Sequence, residues 1–204
     1  MHELELAHAQ LQRMRGMTRY YHGRFFADTR FVVIAVLLLF VVGFWEIPEA
    51  FLLIPVVALI GANQTAFDAS YLFMARRYAA ALEGFLNDAM RQKVLIGSEL
   101  EDRYLVPLRG KNVVGVAFGG GFSWFGWMTV LYTMLGVIAS VAGVVLGWET
   151  LNGWGVVAYS STMGVLTVSS LVVGWWWFLA GTGQRRLDEV VAASFPVSPV
   201  SARA

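Results

Sequence analysis

The chain has 204 residues, of which 57% are hydrophobic and only 14% are charged. Soluble domains carry about 25% charged residues, so this composition, with a mean hydropathy of +0.60, indicates an integral membrane protein. The formal net charge of +1 gives no reason to expect a nucleic acid as a partner. The chain has no cysteine, which excludes disulfides, thiol nucleophiles and thiolate-bound metals.

Residues 1–30 are polar and charged, and the first apolar run begins only at Phe31. This pattern does not predict a cleavable signal peptide, because the apolar stretch begins too far from the first residue. Apolar side chains recur among Glu, Gln and Arg at helical spacing. The segment is therefore predicted to be a cytosolic amphipathic helix, with an apolar face formed by Leu4, Leu11, Met14, Tyr21 and Phe25.

Residues 31–75 contain two apolar runs that predict the first two membrane spans. Residues 31–45 are uninterrupted, and the second run begins at Phe51 and continues past several polar residues. About 20 residues are needed to cross the hydrocarbon core, so the first span must extend into its flanks. Because the connection is short and contains Pro48, the two spans are predicted to form an antiparallel hairpin.

Residues 76–112 are predicted to be a cytosolic amphipathic helix followed by a basic loop. Tyr78, Leu82, Phe85, Leu86 and Met90 are spaced by three or four residues and alternate with charged side chains, as expected for a helix that buries one face. Both this segment and residues 1–30 prolong neighbouring spans. We therefore expect them to pack together as a two-helix stalk.

Residues 113–182 are predicted to form a second pair of spans. The apolar stretch from Val113 is longer than one span requires, and the triplet Gly119, Gly120 and Gly121 predicts a break within it. The third span is expected at about residues 124–146 and the fourth at about 154–180. Residues 183–204 return to a cytosolic tail, and the end, with two prolines and three serines, is expected to be disordered.

The distribution of basic residues predicts the orientation. Neither of the two loops assigned to the outside contains Lys or Arg. The positive-inside rule therefore places both termini and the middle loop in the cytoplasm of a multi-pass cell-membrane protein. The fifteen basic residues are Arg13, Arg15, Arg19, Arg24, Arg30, Arg76, Arg77, Arg91, Lys93, Arg103, Arg109, Lys111, Arg185, Arg186 and Arg203.

One face of the second span is polar. Gln64, Asp68 and Tyr71 are separated by four and three residues, with Asn63 beside them. An ionisable residue within a span is a functional-site hypothesis, because burying its charge at the helix centre costs about 2.5–3.5 kcal/mol. Asp68 either pairs with a neighbouring helix, for which Arg30 is the expected partner, or contributes to a transport path or ligand site.

Small residues recur at intervals of three and four on the last two spans, which allows helix backbones to approach closely in a membrane. These faces fit packing within one subunit or an interface between subunits, and the spacing does not separate the two. The candidate packing residues are Gly136, Ser140, Gly143, Gly147 and Gly164.

The sequence contains no arrangement typical of a catalytic or metal site. His2, His8 and His22 lack the spacing of a zinc-binding motif, and the Ser160, Ser161 and Thr162 cluster has no nucleophile-elbow context. We therefore predict a protein that is not an enzyme and requires no metal or cofactor.

The predicted fold is all-α, a polytopic membrane protein with four transmembrane helices and a cytoplasmic helical stalk. The first functional hypothesis is a homo-oligomeric channel or pore-type transport protein whose path is lined by the polar face of span 2. The alternative is a non-catalytic accessory or assembly subunit. The expected partners are the lipid bilayer and either other copies of this chain or a larger membrane protein.

Overall fold

A computed structural model describes residues 2–104 and 124–194, and the described part is all-α. Four of its helices are long and apolar enough to cross a membrane. The helices, in chain order, are α1 (His2–Trp45), a 3₁₀ turn (Pro48–Leu52), α2 (Leu53–Met90), α3 (Gly97–Tyr104), α4 (Trp124–Gly147), a 3₁₀ turn (Trp148–Thr150), α5 (Trp154–Gly174), a π-helical turn (Trp175–Leu179) and α6 (Thr182–Ser194).

Helices α1 and α2 form one antiparallel hairpin that runs the length of the molecule. The 44 residues of α1 span about 66 Å at 1.5 Å per residue, so the predicted N-terminal helix and first span are one continuous rod. Pro48 opens the connecting 3₁₀ turn, where a missing N–H costs nothing. Side chains of Ala50, Phe51 and Leu52 in this turn are buried, which fixes the closed end of the hairpin.

The other end of the hairpin is the predicted stalk, formed by residues 2–30 of α1 and 76–90 of α2. Its core contains Leu11 and Met14 from α1 and Ala79, Leu82 and Leu86 from α2. The predicted apolar faces are therefore only partly used, and the expected core residues Leu4, Phe85 and Met90 are exposed.

Helix α2 ends at Met90, within the segment of residues 76–112 that is predicted to be a helix followed by a loop. Arg91 adopts a left-handed conformation with a φ of 52°. The Asn87 side chain accepts hydrogen bonds from the backbone N–H groups of Val94 and Leu95 and donates one to the Leu95 carbonyl. This closed loop satisfies the backbone where the helix stops and turns the chain back, so that α3 lies against α2.

Glu83 connects the start of α3, which follows the loop after α2, to the stalk. The buried Glu83 carboxylate accepts a 2.8 Å hydrogen bond from Arg15 on α1 and a 2.9 Å bond from the backbone N–H of Ser98. Arg76 forms a 3.1 Å ion pair with Glu101 on α3, and Arg77 forms a 3.0 Å pair with Asp188 on α6. The N-terminal half of α1, α3 and α6 therefore lie at one end of the molecule.

The last two spans attach separately to the hairpin. Helix α4 packs on the Pro48–Leu52 turn and on α2, and α5 packs on α2, but the described residues of α4 and α5 do not pack along each other. Within the described residues, α2 is therefore the central helix of the bundle.

Three predictions fall on undescribed residues. The glycine break at 119–121, the part of the basic loop from residue 105 to 112 and the end of the tail from residue 195 lie outside the described residues.

Gly143 and Gly136 provide a matched test of the α4 contact. A Cβ added to Gly143 would lie 2.7 Å from the Phe51 carbonyl oxygen, whereas no described atom lies within 4 Å of the same position at Gly136. We expect Gly143→Ala to lower the free energy of unfolding by about 1–3 kcal/mol through overpacking. Gly136→Ala should be neutral or stabilising by up to about 1 kcal/mol. Unfolding of the purified variants in detergent measures both, and equal stabilities would contradict this packing.

Candidate functional site

The polar residues of span 2 divide between two helix contacts. Asn63 faces α5, where its amide donates a 2.9 Å hydrogen bond to the Ser170 hydroxyl, and it also bonds the carbonyl of Leu59 one turn earlier. Ser70 faces the same way and accepts a 3.1 Å bond from the Trp177 indole. These side chains attach span 4 to α2.

A third hydrogen bond holds the opposite end of span 4. The Tyr159 hydroxyl donates a 3.0 Å bond to the backbone carbonyl of Leu52 in the hairpin turn. Side-chain hydrogen bonds between membrane helices contribute about 0.6 kcal/mol each on average. Span 4 is therefore fixed along its length by a few polar contacts, and none of its described side chains is buried.

Asp68 faces the other side of α2, towards α1. Its side chain is only 1% exposed. Asp28 on α1 is a near neighbour of Asp68, and Arg24 and Gln64 also lie near it. Nevertheless, neither carboxylate oxygen accepts a hydrogen bond from a described residue.

The prediction that Asp68 pairs with Arg30 is wrong. Arg30 is exposed, and its Nε donates a 3.2 Å hydrogen bond to the carbonyl of Phe26 on its own helix. In the antiparallel hairpin Gly61 packs against Val32. Asp68 lies two turns after Gly61 on α2, so it lies opposite a part of α1 that is two turns before Val32 and precedes the apolar run. Asp68 consequently faces residues that precede Arg30.

We call Arg24, Asp28, Gln64 and Asp68 the boundary cluster, because Asp28 lies three residues before the apolar run that begins at Phe31. Arg24 lies 3.6 Å from the Asp28 carboxylate and donates a 3.2 Å hydrogen bond to the Tyr20 hydroxyl. The cluster thus contains two carboxylates and one guanidinium. When both acids are ionised it has an unbalanced negative charge.

The surroundings of the boundary cluster are apolar and aromatic. Phe25 packs with Ala69, Leu72 and Phe73 in one buried group. The Tyr71 ring stacks on Tyr21 of α1 with a centroid separation of 4.9 Å. Tyr71, a predicted polar-face residue, is therefore a contact between helices.

The small residues also divide into two groups. Gly143 and Gly147 pack within the chain, against Phe51, Ile54 and Leu52 of the hairpin. No described atom approaches the Cβ positions of Gly136 or Gly164, while the Ser140 hydroxyl bonds the carbonyl of Gly136 on its own helix. Gly143 and Gly147 serve internal packing, whereas Gly136 and Gly164 leave open surface.

No group of three His, Asp or Glu side chains arranged to hold a metal ion is found among residues 2–104 and 124–194. No protein-family model, curated protein or solved structure matches this chain.

Sequence reasoning found Asp68 but missed Asp28 and Arg24. Both precede the apolar run, where charged residues are ordinary, so nothing in their own segment marks them. The register of the hairpin could have identified them. Ile47 lies in the connection, and Asp68 and Asp28 lie at similar distances after and before it along the chain, so an antiparallel hairpin brings them side by side.

The contact between Asn63 and Ser170 can be measured by a double-mutant cycle. We expect Asn63→Ala and Ser170→Ala to show a coupling of about 0.6 kcal/mol in detergent unfolding, because each variant removes the same hydrogen bond. Ser169 is the matched control, since its hydroxyl bonds the carbonyl of Leu166 on its own helix. A coupling of Asn63 with Ser169 as large as that with Ser170 would contradict the proposed contact.

Proposed function

We propose that this protein is a non-catalytic assembly subunit of the cell membrane that binds another transmembrane chain through spans 3 and 4, with its stalk in the cytoplasm. The observation that carries this proposal is the open surface of span 4. None of its described side chains is buried. Tyr159 bonds the hairpin turn, and Ser170 and the adjoining Trp177 bond α2.

The separation of spans 3 and 4 supports the same role. Each packs on α2, and where the structure describes them they do not pack along each other, so both keep surfaces that can receive another helix. Lipid and protein are equally apolar, so helix association in membranes depends on close backbone approach at small residues. Gly136 on span 3 and Gly164 on span 4 offer such positions and have no described neighbour within the chain.

The placement of the polar residues also favours assembly over a pore formed by one chain. Asn63 bonds span 4, and Tyr71 stacks on α1. Asp68 lies between the two helices of the hairpin. These side chains occupy two different helix contacts of α2 and do not line one common path.

Enlarging Gly164 tests the interface directly. A Cβ added at Gly164 has no described atom within 4 Å of it, so for Gly164→Ile we expect the fold to persist and the partner to be lost. Gly174→Ile is the matched control, because a Cβ at Gly174 also has no described atom within 4 Å and Gly174 lies on a different face of the same helix. Native mass spectrometry of gently extracted protein should show loss of the complex for Gly164→Ile only. A complex of unchanged mass and abundance in that variant would contradict the proposed interface.

Because the chain has no cysteine, a single introduced cysteine can report by disulfide formation whether the partner is a second copy of this chain. A single cysteine at position 164 should form a disulfide-linked pair of this chain if the partner is a second copy. In that case the native mass is a multiple of this subunit. A complex whose mass includes a different polypeptide identifies a larger membrane protein.

A channel is the second candidate, and the specific observation that favours it is the buried carboxylate of Asp68 without a hydrogen bond. Ion flux in liposomes containing the purified chain separates the two functions. The assembly proposal predicts flux equal to that of empty liposomes. Flux that is abolished by Asp68→Asn, but retained by Asp188→Asn at the stalk end, would establish the channel instead.

A further inference from the structure

We propose that Asp28 and Asp68 form a proton-binding site in which the two carboxyl groups share one proton at the membrane boundary of the α1–α2 hairpin. The site is additional to the assembly role and does not depend on it. Its basis is the burial of Asp68, which is 1% exposed and has no hydrogen bond to either oxygen from a described residue.

The boundary cluster has a net charge of one negative unit when both of its carboxyl groups are ionised, so one additional positive charge would neutralise it. Two ionised carboxylates face a single guanidinium, that of Arg24, which is already divided between Asp28 and the Tyr20 hydroxyl. Like charges held together in a poorly solvated site cannot both remain ionised without a large cost, so one group retains its proton. That proton turns one acid into a donor and the other into its acceptor, which supplies the hydrogen bond that Asp68 lacks.

A proton fits this site better than a metal cation. Metal ions such as Ca²⁺ and Mg²⁺ require about six or more oxygen ligands, whereas the buried cluster on the same stretch of the hairpin consists of Phe25, Ala69, Leu72 and Phe73, which have no side-chain oxygen. Arg24 also faces the cluster and repels an incoming cation. A proton needs only the two carboxyl groups.

The exposure of the cluster gives the proton a route. The side chains of Arg24 and Asp28 are 49% and 30% exposed, while Asp68 is closed off. Both exposed groups lie on the stalk side of the apolar run. The proton therefore enters the site from the solvent at that end, past the partly exposed Asp28, and is shared between Asp28 and the buried Asp68.

Infrared difference spectroscopy of the full-length protein between mildly acidic and alkaline pH tests the site. The expected result is a C=O band of one protonated carboxylic acid that shifts in D₂O and disappears as the pH rises. The band should be lost in both Asp28→Asn and Asp68→Asn, because the remaining carboxylate then pairs with Arg24 and ionises. Asp188→Asn, at an exposed ion pair with Arg77, should retain it.

Three outcomes would overturn the proposal. A band unchanged in both variants places the proton elsewhere, and a band lost only in Asp68→Asn shows that Asp68 holds the proton alone. Loss of the wild-type band at constant pH on adding Na⁺, K⁺ or Mg²⁺ would identify a cation site. Asp28 is partly exposed, so Asp28→Asn keeps the test available if Asp68→Asn fails to fold. The readout needs neither flux nor assembly, so it can fail without affecting the proposed function.

Discussion

The antiparallel packing of α1 on α2 is the contact on which the rest of the molecule depends. The hairpin turn buries Phe51 and Leu52 at one end, and the stalk core buries Leu11 and Leu82 at the other. Because the two helices are packed together at both ends, they have one possible register. Sliding α1 along α2 by a single turn would disrupt the buried contacts of the hairpin turn and of the stalk core together. That register sets which residues of α1 face Asp68, and it provides the surface on which spans 3 and 4 are placed.

The two halves of the bundle are stabilised differently. The hairpin combines interlocking apolar side chains with the buried Glu83 contact to Arg15. Span 4 is held on α2 by a small number of polar contacts, and span 3 by glycines that bring its backbone against the hairpin turn. In lipid, burying one apolar side chain against another gains little over contact with acyl chains, so the second half keeps its outer surfaces available to another protein.

The sequence predicted the helices well because apolar runs and helical periodicity are local signals. The four long apolar helices and the two-helix stalk follow from them. The end of α2 at Met90 could not be predicted, because it depends on Asn87 bonding a loop that follows it. The neighbours of Asp68 were missed for a related reason. Helical periodicity predicts which residues share a face of one helix, but the residues that lie opposite them depend on the register between two helices.

Asp68 is difficult to explain as a stabilising residue. An apolar side chain of similar volume could be buried there without loss of solvation, and replacing buried charges by apolar residues is often neutral or stabilising. A fully buried carboxyl with no hydrogen bond from a described donor therefore contributes least to stability in its ionised form. Sharing a proton with Asp28 removes that cost only while the proton is bound. The stability of the α1–α2 contact consequently depends on proton binding at the stalk end of the membrane boundary, and that dependence is the physical property that an aspartate at this position provides and a leucine cannot.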